Sequence, residues 1–94
     1  MDKQQIDKKV FSKDEVMRIF EEVYLVNLNH HRCSNDEFYE MKMCISSILG
    51  NKWIRENKEL AQQLKLARNS CRIKKQKSLA NHIILALGYL RNED

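Results

Sequence analysis

The sequence predicts an all-α protein, a compact bundle of four or so helices preceded by a flexible N-terminal arm. Three observations carry this expectation. The chain has no proline and only two glycines, so it lacks the turn residues that β-rich domains need every ~8 to 12 positions. Apolar residues recur at 3-4 spacing over most of its length. Two serines stand at the head of such stripes, each followed three residues later by a glutamate. At 94 residues the chain has the length of one hydrophobic core and is expected to form a single domain.

Residues 1–10 are polar and charged with isolated Ile6 and Val10, which reads as a mobile arm; residues 11–94 are the helical domain. Ser12-Lys13-Asp14-Glu15 has the form of a capping box, in which the serine oxygen accepts from the glutamate amide and the glutamate accepts from the serine amide. Phe11 and Val16 flank it as a hydrophobic staple. A first helix then carries Val16, Ile19, Phe20, Val23, Tyr24 and Leu28 as its apolar stripe and ends near residues 29–32. Ser34-Asn35-Asp36-Glu37 repeats the capping box, with Cys33 and Phe38 as its staple. It opens a second helix, to about Leu49, with Phe38, Met41, Ile45, Ile48 and Leu49 on one face. Gly50 is expected to end that helix in a left-handed conformation, and the short link makes helices 1 and 2 antiparallel neighbours or nearly so.

From Asn51 to Tyr89 only Gly88 interrupts helical propensity. One helix over that stretch would run ~60 Å, too long for a domain of this size, so a break is expected at residues 65–69 or 77–78. Trp53, Ile54, Leu60, Ala61 and Leu64 form the stripe before it; Ile73, Ala80, Ile83, Ile84, Leu87 and Leu90 form the stripe after it.

Charge is unevenly distributed. Residues 1–59 hold ten Lys/Arg against eleven Asp/Glu, whereas residues 60–94 hold seven against two. Six bases crowd into thirteen positions: Lys65, Arg68, Arg72, Lys74, Lys75 and Lys77. Such asymmetry is the electrostatic footprint of a polyanion-binding surface; its ordinary counterpart is a solvated basic helix face.

Other chemistries find less support. Gly50 and Gly88 are too far apart for a glycine-rich phosphate loop. The longest apolar run, Ile83–Leu87, is five residues, far below the ~18 that span a bilayer, and the first residues do not resemble a secretory signal. Three cysteines, an odd number, argue against a disulfide framework and for a reducing, cytoplasmic setting. His30, His31, Cys33, Cys44, Cys71 and His82 are metal-type residues without the paired spacing of structural zinc sites, so no metal or other cofactor is expected. No nucleophile stands beside a recognisable base, and Glu21-Glu22 falls on the solvent side of helix 1, so no enzymatic activity is expected.

The stretch Glu59-Leu60-Ala61-Gln62-Gln63-Leu64-Lys65-Leu66-Ala67-Arg68-Asn69-Ser70-Cys71-Arg72 resembles the helix-turn-helix motif of small bacterial and phage DNA-binding regulators. In that likeness Ala61 is the small residue at the helix crossing, Leu64 and Leu66 flank the turn, and Cys71 packs the second helix. Lys65 stands where the motif has glycine, Ala67 where it has a capping Ser or Thr, and Lys74 where it has an apolar anchor. The resemblance implies a recognition helix from about Arg68, with Arg68, Asn69 and Arg72 reading bases in the major groove. Lys65, Lys74, Lys75 and Lys77 would neutralise phosphates. It also implies a homodimer, for which Leu79, Ile83, Ile84, Leu87 and Leu90 of the last helix are the expected interface, the alternative being that this face belongs to the chain's own core.

Two functions remain from the residues. One is a dimeric DNA-binding regulator; the other is a small adaptor or inhibitor, of phage or mobile-element type, whose basic half meets an acidic protein surface. RNA binding is a third, less supported because the Phe and Tyr residues lie outside the basic segment.

Overall fold

The computed structural model describes residues 9–92, and within them the expected all-α architecture is present as five helices. The first, α1, is a continuous rod made of an α segment Lys13–Arg18, a π-helical segment Ile19–Tyr24 and an α segment Leu25–His30. Then come α2 (Asn35–Leu49), a single turn α3 (Lys52–Glu56), α4 (Lys58–Arg72) and α5 (Gln76–Arg91). α4 is central, with α2 and α5 packed against it, and α1 lies along α5. The radius of gyration of 12.9 Å is close to the ~12 Å of a compact chain of this length.

Both capping boxes form. Ser12 Oγ accepts from the Glu15 amide and Glu15 accepts from the Ser12 amide at 2.9 Å; Ser34 and Glu37 repeat the exchange, with Ser34 N donating to Glu37 Oε1 at 2.7 Å. The staple residues Phe11, Val16, Cys33 and Phe38 are all buried. The Ser34 amide, followed by His31, holds the Glu37 carboxyl below its ordinary range.

The π segment has a reason in the sequence. The buried residues of α1 are Val16, Phe20, Tyr24 and Leu28, a strict interval of four. On an α-helix of 3.6 residues per turn that interval drifts by about 120° between the first and the last. A wider turn, marked by the Leu25 amide donating to Phe20 O, takes up the drift and keeps all four on the core. Val23, expected in the stripe, is consequently 47% exposed.

Several expectations are corrected. Gly50 caps α2 in a right-handed conformation (φ −71°); what its position restricts is space, since a Cβ would sit 3.1 Å from Ser47 O. α1 and α2 are neighbours but do not pack closely along their length. They face each other across a cleft of about 260 Å³ lined by Val23, Tyr24, Asn27, Cys33, Glu37, Glu40, Met41 and Cys44. The chain breaks at Asn57 and again at residues 73–75, rather than at 65–69 or 77–78. Asn57 ends α3 and caps α4, its side chain accepting from the Leu60 amide at 3.2 Å.

Residues 1–8 of the expected arm lie outside the described residues. Residues 9 and 10 are not part of a free arm, because Asn51 binds the chain on either side of Val10. Its Oδ1 accepts from Phe11 N at 2.8 Å, and its Nδ2 donates to Lys9 O at 3.2 Å and Ser47 O at 3.1 Å. The Trp53 indole adds a bond to Phe11 O at 2.9 Å.

The second break is a Schellman turn. Lys74 N donates to Cys71 O, Lys75 N donates to Ser70 O, and Lys74 occupies the left-handed region at φ 60°. The lysine that takes the glycine-like conformation is thus Lys74 and not Lys65. A left-handed non-glycine residue carries a penalty of ~1 to 2 kcal/mol, partly offset by the greater unfolded freedom of glycine. Lys74→Gly is expected to stabilise the protein by ~0.5 to 1 kcal/mol in urea denaturation, while Lys74→Ala, which removes the same charge and keeps the strain, gains nothing. An equal gain in both would trace the effect to charge.

Candidate functional site

α4 continues unbroken through Lys65–Asn69, so the turn that the helix-turn-helix resemblance requires there is not formed. Ala67 is buried in mid-helix, where a capping residue has no purpose, and Leu64, Ala67 and Cys71 keep one helical face on the core. The unbroken helix has a consequence for the basic residues. Lys65, Arg68, Asn69 and Arg72 stand at i, i+3, i+4 and i+7, which places them along one edge of α4.

That edge faces α2. Lys42, Met43 and Ser46 of α2 and Lys65, Arg68, Asn69 and Arg72 of α4 together line a groove of about 410 Å³. Four of the seven lining residues are cationic and none is acidic, so their potentials add in the depression between two helices. The Arg72 guanidinium donates to Asn69 Oδ1 at 2.7 Å, orienting both side chains at one end of the groove. Lys42 also sits 5.3 Å from the ring centre of Tyr39, which is 58% exposed one helical turn before Met43. Tyr39 therefore supplies the aromatic neighbour that the basic segment lacks in sequence.

The other expected contacts lie elsewhere. Lys74 and Lys75 are exposed in the turn after α4. Lys77 opens onto a separate hollow of about 910 Å³, which it lines with Leu28, Asn29, His30, His31, Arg32, Gln76, Ala80, Asn81 and Ile84. Gln76, at the head of α5, is turned inward: its Nε2 donates to Leu28 O at 2.9 Å and His31 O at 2.7 Å, and its Oε1 accepts from Cys33 N at 3.0 Å. Lys42 was missed because it stands alone in an acidic stretch of sequence. The signal that finds it is its position on the α2 edge with Met43 and Ser46, and this becomes visible once α2 is known to pack on α4.

The expected oligomer interface is corrected. Leu79, Ile83, Leu87 and Leu90 are buried in the core of the chain itself, against α4 and α1. Ile84 alone of the five is exposed, at 53%, beside an exposed Leu85. Ile73, placed in the same stripe, is exposed in the turn. His82 hydrogen-bonds Gln63 across the α4–α5 contact at 2.8 Å. Among the described residues no helix is long and apolar enough to cross a membrane.

The cysteines are free thiols, Cys33 and Cys71 buried and Cys44 half-buried. Burial pushes Cys71 up to about 12 and raises Cys33 too, with Glu37 adding to the latter. Burial, and then the neighbouring Cys44 thiol, raises the Tyr24 hydroxyl, which has no oxygen or nitrogen partner. Although the sequence spacing gives no metal signature, the turn between α1 and α2 brings His31, Cys33 and Glu37 together, their ligand atoms within 4.8 Å of one another. Comparison with protein-family models, with curated proteins and with solved structures gives no match to this chain.

Proposed function

We propose that this is a small helical DNA-binding protein that takes up the phosphate backbone in the α2–α4 groove. The observation that carries the reading is the convergence of Lys42, Lys65, Arg68 and Arg72 on one depression with no carboxylate in its lining. Phosphate contacts of this kind set affinity and register, whereas base edges set sequence preference. Arg68 and Arg72 have the guanidinium geometry for a guanine edge. Asn69 reads an adenine only by giving up its bond to Arg72. A regulatory role would follow from sequence preference at Arg68 and Arg72, and the groove is complete within one chain.

The test is titration of a random-sequence duplex at two or more salt concentrations. On random sequence, where Arg68 and Arg72 meet phosphate instead of a preferred base, four phosphate contacts predict a slope of log K on log salt of about −3 to −4, and each of Lys42→Ala and Lys65→Ala is expected to lower its magnitude by about one. Arg68→Ala and Arg72→Ala are expected to relax preference among selected sites by ~1 to 3 kcal/mol each. Binding that survives removal of all four cations with an unchanged slope would sink the groove as the DNA interface.

A second reading, an adaptor that covers an acidic protein surface, is favoured by one observation. Tyr39 and Met43 are exposed beside the cations, and buried aromatic and Met anchors are characteristic of protein interfaces. Under that reading Tyr39→Ala and Met43→Ala abolish binding to the protein partner; under the first they leave the salt slope on DNA unchanged.

A further inference from the structure

We propose that His31, Cys33 and Glu37 form a binding site for a single zinc ion, with a water as fourth ligand. The site shares no residue with the α2–α4 groove, and the proposal stands or falls independently of DNA binding. An imidazole nitrogen, a thiolate and a carboxylate form a donor set suited to Zn²⁺, which takes mixed N, S and O ligands at ~2.0 to 2.3 Å in a tetrahedron. The three ligand atoms lie within 4.8 Å of one another, and His31 Nε2 is 3.0 Å from Glu37 Oε2. In a tetrahedron at these bond lengths the ligand atoms stand ~3.3 to 3.8 Å apart, so a closing movement of about an ångström by the most distant side chain seats the ion. Thiolate and carboxylate together balance its charge, the thiol proton passing to solvent as the Zn–S bond forms.

The surroundings hold these ligands in place. Glu37 Oε1 is fixed by the Ser34 amide at 2.7 Å, which leaves Oε2 free to turn toward His31. Gln76 fixes the backbone on both sides of the site, accepting from Cys33 N and donating to His31 O. Such outer contacts are what orient metal ligands before the metal arrives.

A second observation points to the same place. Cys33 and Glu37 wall the cleft between α1 and α2, and so does Tyr24. Tyr24 is only 5% exposed, and its hydroxyl has no oxygen or nitrogen partner, only the weakly bonding Cys44 thiol beside it. A buried hydroxyl is rarely left in that condition. A metal-bound water in the cleft supplies a partner for it. The His31–Glu37 pair by itself is an ordinary contact of a capped helix, and the burial of Cys33 follows from its place in the staple; the Tyr24 hydroxyl is what neither explains.

The experiment uses the full chain, fully reduced and metal-free, titrated with Co²⁺ and then Zn²⁺. The expected result is one equivalent of Co²⁺ at micromolar concentration, with the visible bands of tetrahedral cobalt and a thiolate-to-cobalt charge-transfer band, both removed by Zn²⁺. Cys33→Ser is expected to abolish the charge-transfer band. His31→Gln, at an exposed position that leaves the core intact, should weaken Zn²⁺ binding at least about tenfold, the range over which even supporting residues act. No saturable uptake, a charge-transfer band that persists in Cys33→Ser, or unchanged affinity in His31→Gln would each overturn the assignment.

Discussion

Ile83→Asp is expected to leave the chain unfolded at 25 °C, whereas Ile84→Asp, one residue on, leaves stability within ~0.5 kcal/mol of the parent. Ile83 is fully buried among the side chains of the core, and Ile84 is half exposed. The first substitution removes a large apolar side chain from a packed interior and asks a carboxylate to replace it without a partner. The lost burial and cavity alone amount to ~2 to 5 kcal/mol, and an unpaired buried polar group adds several more. The total approaches the ~5 to 15 kcal/mol that holds a small domain together. The two variants have the same local helix propensity, so far-UV circular dichroism and urea midpoints read burial alone. Equal behaviour in the pair would mean that α5 presents a different face to the core, and a change of mass without unfolding in Ile83→Asp would return this face to a subunit interface.

Asn51→Ala is expected to destabilise the protein by ~2 to 4 kcal/mol, which for a chain of this length corresponds to a fall of roughly 10 to 20 °C in Tm. Asn51 is 7% exposed and makes three hydrogen bonds to backbone groups, two of them in residues 9–11. Alanine leaves the Phe11 amide, on a buried residue, without an acceptor, and an unsatisfied buried group accounts for ~1 to 3 kcal/mol of the loss. Trp53 is the single tryptophan and its indole donates to Phe11 O, so its fluorescence reports whether this segment stays docked. A Tm within about 3 °C of the parent, with unchanged emission, would show that Asn51 does not hold the entry to α1.

The parts of this fold that were legible in advance are those whose signal is local. Ser12 and Ser34 each announce a helix start because the cap, its partner glutamate and the staple lie within five residues. The stripe Phe38, Met41, Ile45, Ile48 and Leu49 follows the 3.6-residue period and is buried throughout. The break after α4 was misplaced because its deciding residue is Lys74 in a left-handed conformation, and a lysine carries no sign of that preference. Asn57 carries a readable signal, an asparagine cap with an acidic first turn, although neither glycine nor proline marks the break there. The basic edge of α4 was visible as composition, but the groove needed Lys42, and the pairing of α2 with α4 is a tertiary fact. Assigning Leu79, Ile83, Leu87 and Leu90 to an interface followed from the homodimer that the helix-turn-helix likeness implies; the alternative kept beside it, that this face belongs to the chain's own core, is the one the structure meets, with α4 and α1 covering it on two sides.

The π segment of α1 bears on how chains of this fold can be aligned with one another. The segment holds one residue more than an α-helical ladder would need to connect Val16 with Leu28. Taking out one exposed position there, Glu22 or Val23, brings the two to eleven residues apart, a separation that a straight α-helix returns to within about 20° of the same face. Both forms present the same buried stripe, so a difference of one residue in length is absorbed inside a helix and not in a loop. In a comparison with a homologue one residue shorter, a single-position gap belongs within Ile19–Tyr24. An alignment that forbids gaps inside helices would slide one end of α1 out of phase and count core residues as surface.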